Sequence, residues 1–73
     1  MADHATNVTV SINGEPRELE GAPTVRRTLE VLGLNPESVA VELNRSILRK
    51  DSFDSVRLSD GDEIEIVEFV GGG

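Results

Sequence analysis

The sequence predicts an α+β fold in which one small mixed sheet packs on a single helix. Three observations carry this prediction. Apolar residues alternate strictly in three separated segments: Val8/Val10/Ile12, Val39/Val41/Leu43 and Ile64/Ile66. One segment alone, Val25/Leu29/Leu32, follows the i, i+4, i+7 spacing of a helical stripe. The two longest apolar strands are the first and the last, so a sheet that places them side by side makes them parallel, with the helix in the crossover.

The elements follow in chain order. Residues 1–6 read as a short disordered lead, residues 7–70 as the folded domain and residues 71–73 as a flexible glycine tail. The first strand covers Asn7–Ile12, with Val8, Val10 and Ile12 on one face. Asn13-Gly14 is a strong hairpin signal, because both residues accept positive φ. A short returning strand is expected around Arg17–Glu20, and Gly21-Ala22-Pro23 breaks it.

Thr24 is a suitable N-cap for a helix over about residues 25–32. Gly33 followed by Leu34 suits a Schellman-type ending, and Pro36 stops continuation. Arg26 and Arg27 stand in the first turn, where the helix dipole disfavours positive charge by ~0.3–1 kcal/mol each. Solvent and Glu30 can offset that cost.

A second alternating strand spans Val39–Asn44. Asn44-Arg45-Ser46 reads as a turn, since Asn tolerates positive φ. Ile47-Leu48 reads as a brief strand, and the irregular stretch 49–56 has Phe53 as its core anchor. Asp60-Gly61-Asp62 is a tight turn into the last strand, which starts at Glu63. The expected core is therefore the three alternating sets with Leu19, Val25, Leu29, Leu32, Phe53 and Leu58. Hairpin, helix, strand, irregular segment and last strand together give the β-grasp arrangement.

Composition narrows the chemistry. At 73 residues the chain is one domain with a small core. There is no Cys, hence no disulfide, thiolate metal site or thiol nucleophile, which fits a reducing cytoplasm. Phe53 and Phe69 are the only aromatic residues. Net charge is -7, which argues against nucleic acid as the main partner and favours solubility and steering toward basic protein surfaces. No apolar run approaches the ~20 residues of a membrane span. Residues 1–6 lack the basic and apolar segments of a secretory signal. His4 and Lys50 are each the only residue of their type and have no partner motif. Asp60-Gly61-Asp62 lacks the further ligands of a calcium loop, and no paired-carboxylate or Gly-loop constellation points to catalysis.

The acidic run Glu63–Phe69 passes directly into Val70-Gly71-Gly72-Gly73. Glycine backbone resists ordering, and a segment without side chains can thread a narrow channel. A carboxylate on such an arm is placed to be handed to another protein's active site. Period-2 counting puts Val67 and Phe69 on the face opposite Ile64 and Ile66. Either a bulge after Ile66 buries them or they form an exposed apolar patch. The patch is the preferred reading, because Phe69 lies so close to the tail and exposed apolar patches mark interfaces. An aromatic there would anchor docking, with nearby Glu65 and Glu68 steering toward basic partner residues.

In this order and spacing, four stretches resemble the ThiS-type sulfur carriers of thiamin thiazole synthesis, ubiquitin-like β-grasp proteins of the ThiS/MoaD group. They are Ile12-Asn13-Gly14-Glu15; Thr24-Val25 with Leu29 and Leu32; Val39–Asn44; and Leu58–Ile66 leading to Val70-Gly71-Gly72-Gly73. The likeness spans residues 8–73. Arg26 and Arg27 depart from the acidic or small residues usual early in that helix. The small subunit of molybdopterin synthase shares the tail logic with a different typical end.

What the resemblance implies is a carrier and no catalyst. An E1-like enzyme of the ThiF type would adenylate the Gly73 carboxylate of the terminal Gly72-Gly73 pair, using ATP and Mg²⁺. A persulfide donor would convert the acyl-adenylate to a thiocarboxylate, and thiazole synthase would consume the sulfur. Phe69, Val67, Val70 and Gly71 would dock the partners. No cofactor is expected on the carrier itself. Other sulfur pathways (molybdopterin, cysteine, tRNA thiolation) and a lysine-conjugated ubiquitin-like modifier begin from the same carboxylate.

Overall fold

A computed structural model of the protein describes residues 7–70. Residues 1–6 and the glycines at 71–73 lie outside the described residues. Five strands and one helix follow one another: β1 Val8–Ile12, β2 Glu15–Leu19, α1 Val25–Val31, β3 Val39–Leu43, β4 Ser46–Leu48 and β5 Glu63–Glu68. Single 3₁₀ turns occupy Pro36–Ser38 and Lys50–Ser52. The sheet order is β2-β1-β5-β3-β4. β1 and β5 are parallel neighbours, paired at Ser11↔Glu63 and Ile12↔Ile64. All other pairings are antiparallel.

Two-residue turns fix the hairpin registers. Asn13 (φ 53°) and Gly14 (φ 86°) join β1 to β2, so that Ile12 faces Glu15. Asn44 (φ 51°) and Arg45 (φ 75°) do the same between β3 and β4, setting Leu43 against Ser46. The tight first turn moves β2 two residues earlier than the expected Arg17 start, and β2 ends at Leu19.

Thr24 caps α1: its hydroxyl accepts from the Arg27 amide at 3.1 Å. The first-turn arginines are not left to the dipole. Arg26 bonds Asp54, and Arg27 lies 3.6 Å from Glu30. The helix ends one residue short of the expected 32. Gly33 (φ 78°) donates to the Glu30 carbonyl at 3.0 Å, and Leu34 donates to the Leu29 carbonyl at 2.9 Å. That pair of bonds is a Schellman ending.

This ending corrects one expected core residue. Leu32 becomes the C-cap and is only half-buried, while Leu34 swings back to pack against the core. Thr28 is a buried residue the apolar pattern did not reveal; its hydroxyl donates to the Thr24 carbonyl at 2.9 Å, so burial leaves no unpaired group. The core is Val8, Val10, Leu19, Val25, Leu29, Val39, Val41, Phe53, Leu58 and Ile64. Ile12, Leu43 and Ile66 pack at its margin. The segment after β4 is tied to the start of the helix, with Val25 N–H donating to the Val56 carbonyl and Leu58 N–H to that of Pro23. Phe53 is thereby set into the core from an irregular stretch.

Candidate functional site

One face of the sheet is covered by α1 and Phe53, and the other is open. The open face near the end of β5 follows from register. β3 and β5 pair continuously from Leu43↔Ile64 to Val39↔Glu68, and the Phe69 amide extends the ladder by donating to the Ser38 carbonyl at 2.8 Å. No residue is skipped, so no bulge shifts the phase. Ile64 and Ile66 therefore face the core. Val67 and Phe69 face outward, 59% and 60% exposed, and Val70 is 89% exposed.

The same register places neighbours beside them. Ala40 of β3 lies opposite Val67. On β4, Ile47 lies opposite Glu42 and is 80% exposed. Ala40, Ile47 and Val67 line a shallow groove with Glu42, Glu63 and Glu65. Ile47 is the contributor that sequence reasoning missed. Its signal was present: a two-residue turn at Asn44-Arg45 leaves Ile47 paired with Glu42 on the outer face.

The groove is acidic for a structural reason. Glu42 and Glu65 are directly opposed across an antiparallel pair, where like charges are destabilising. One cation stands near, with Arg45 Nε 4.0 Å from Glu63 Oε1. Glu68, by contrast, opposes Val39 and does not share the face of Phe69. The acids beside the apolar patch are Glu42, Glu63 and Glu65.

Among the described residues, no group of three His, Cys, Asp or Glu side chains is placed to hold a metal ion. The carboxylates of the Asp60-Gly61-Asp62 turn are used internally. Asp60 accepts from the Thr9 amide at 2.7 Å, and Asp62 accepts from the Ser59 amide at 2.8 Å and the Asn44 carboxamide at 3.0 Å. No described helix is long and apolar enough to cross a membrane. Of the residues the sequence singled out, Val67 and Phe69 share the open face, and Val70 continues from β5. Gly71, Gly72 and Gly73 lie outside the described residues.

The geometry has counterparts. A model of the ThiS family matches residues 10–73. The chain is 41% identical over 64 residues to a thiazole synthase of Magnetococcus marinus; this covers 88% of the chain and 20% of that protein. The chain thus spans about a fifth of the length of that relative. It is also 41% identical to the sulfur carrier protein ThiS of Thermus thermophilus, over 88% of this chain and 98% of that one. A solved thiamine biosynthesis protein (ThiS) from Geobacter metallireducens superposes with a TM-score of 0.76 at 36% identity, covering 90% of this chain and all of the other. Caldiarchaeum subterraneum ubiquitin matches with a TM-score of 0.57 at 20% identity, over 93% of this chain and 100% of its own. The likeness to ubiquitin is one of fold, and the fold is the ubiquitin-like β-grasp.

Proposed function

Since the chain belongs to the ThiS family, we propose that it is a sulfur carrier of thiamin thiazole biosynthesis, charged at the Gly73 carboxylate. The observation that supports this reading is the exposed patch of Val67 and Phe69 at the end of β5, the strand that precedes Gly71-Gly72-Gly73 in the sequence. A partner that grips the patch has the carboxylate within a few residues of its grip.

The chemistry needs activation from outside. A carboxylate is a poor acyl donor, because its leaving group is poor. In the proposed cycle an E1-like enzyme of the ThiF type supplies ATP and Mg²⁺. The Gly73 carboxylate oxygen attacks the α-phosphorus, pyrophosphate leaves, and an acyl-adenylate forms. The terminal sulfur of a donor's persulfide then attacks the acyl carbon and expels AMP. A second thiol attacks the donor-side sulfur of the resulting acyl disulfide. A new disulfide forms between that thiol and the donor, and the thiocarboxylate leaves, carrying the sulfur that thiazole synthase takes. The carrier contributes the arm, the docking patch and the acidic groove that steers basic partners. The named relative that is itself a thiazole synthase supports that enzyme as the acceptor. The proposed place of action is the cytoplasm, where ATP is available.

Intact mass of the protein after incubation with ATP, Mg²⁺, the E1-like enzyme and a persulfide donor tests the proposal. The expected result is an ATP-dependent gain equal to the difference between sulfur and oxygen, lost when Gly73 is deleted. Adducts on lysine amines of other proteins, without that gain, would identify a ubiquitin-like modifier instead.

A further inference from the structure

Asn13 does more than turn the first hairpin. In the parallel ladder, the Ser11 amide donates to the Asp62 carbonyl at 2.9 Å and the Asn13 amide donates to the Ile64 carbonyl at 2.8 Å. The next rung belongs to Ile66, but the chain has already turned away into β2. The Asn13 side chain fills that rung. Its Oδ1 accepts from the Ile66 amide at 2.7 Å, and its Nδ2 donates to the Ile66 carbonyl at 3.2 Å. One carboxamide thus serves both backbone groups of Ile66, as a peptide unit of a longer β1 would.

This substitution defines where β5 leaves the sheet. On the β1 side the last hold is Asn13 at Ile66, and on the β3 side it is the Ser38 carbonyl at the Phe69 amide. The two holds lie three positions apart, immediately before Val70. Val67 and Phe69 therefore leave the core on a strand pinned from both sides.

We propose that Asn13 is a positioning residue for the end of the last strand: its carboxamide fixes the line on which Phe69 and Val70, the residues that precede Gly71-Gly72-Gly73 in the sequence, leave the sheet. The functional half of this proposal rests on the reading of Gly73 as the charged group. A looser exit makes the partner order the arm on binding, and that ordering lowers affinity without altering the reaction once the arm is seated.

Asn13→Gly is the appropriate variant, because glycine adopts the φ of 53° without strain and only the carboxamide is lost. Amide hydrogen exchange by NMR on the isolated protein should show Ile66 about tenfold faster. Val67 to Val70 should follow, and Val10 and Val41 should stay unchanged. With the E1-like enzyme and ATP, the KM for the carrier should rise about fivefold or more at nearly constant kcat. Asn13→Asp keeps the acceptor but sets a charge against the Ile66 carbonyl, so it should shift both readouts in the same direction. Uniform acceleration across the sheet would overturn the proposal in favour of general stability. Faster exchange at Ile66 with an unchanged KM would overturn it in favour of a simple turn cap. If the unaltered protein is not charged at all, the Gly73 reading falls. The exchange of Val67 to Val70 then still decides whether Asn13 sets the exit, and unchanged exchange there refutes it.

Discussion

The two phenylalanines form a controlled pair. Phe53 is 1% exposed in the core, whereas Phe69 is 60% exposed on the open face. Truncating Phe53 to Ala removes transfer energy and leaves a cavity, a loss of about 3–5 kcal/mol. A domain of this size has little more than that to lose, so the variant should be largely unfolded. Phe69→Ala leaves no cavity, since solvent reaches the site. Its covered surface is about two fifths of the side chain, and full burial of Phe contributes about 1.5–3 kcal/mol, so the loss should be about 0.6–1.2 kcal/mol. Binding reverses the order of importance. An aromatic anchor buried by a partner contributes about 2 kcal/mol or more, which is roughly a thirtyfold weaker Kd on truncation. Urea denaturation of Phe69→Ala, with calorimetric titration against the E1-like enzyme and thiazole synthase, measures both quantities. A stability loss above about 3 kcal/mol, or an unchanged Kd with both partners, would refute the docking argument.

Ile47 tests the part of the patch contributed by β4. Ile47→Thr should change stability by no more than about 0.5 kcal/mol in a urea melt, because the residue is largely exposed. It should also weaken partner binding, because it removes the apolar contact of Ile47 while leaving the carboxylates of Glu42, Glu63 and Glu65 in place. At the helix end, Gly33→Ala should cost about 1–2 kcal/mol in a thermal melt. The reason is the φ of 78°, as nothing stands within 4 Å of the added Cβ.

Most of the fold was legible because its signals are local. Alternation at Val8/Val10/Ile12 and Val39/Val41/Leu43 assigned faces directly, and Thr24 and Gly33 marked the helix ends. The misassigned Leu32 shows the limit of a periodicity argument. Spacing identifies a stripe, but the Schellman bonds decide which leucine after Leu29 returns to the core. Thr28 escaped notice because its burial depends on a bond to the Thr24 carbonyl, and composition does not display such bonds. Outward exposure of Val67 and Phe69 required knowing that β3 and β5 keep register without a bulge, a long-range property. The carboxamide of Asn13 is the extreme case: its partner lies 53 positions away.

The central place of β5 has a consequence for how the protein comes into being. The sheet is β2-β1-β5-β3-β4, so without Glu63–Glu68 the β1–β2 and β3–β4 pairs have no sheet contact with each other. A ribosome that has synthesised only the first sixty or so residues holds no finished core, because Ile64 is missing from its centre. Closure joins β1 to a strand about fifty positions later, and such distant pairing is slow. Premature termination before β5 therefore leaves no folded decoy to compete for the partners. The domain reaches its native shape only in chains that also carry the strand from which the arm departs.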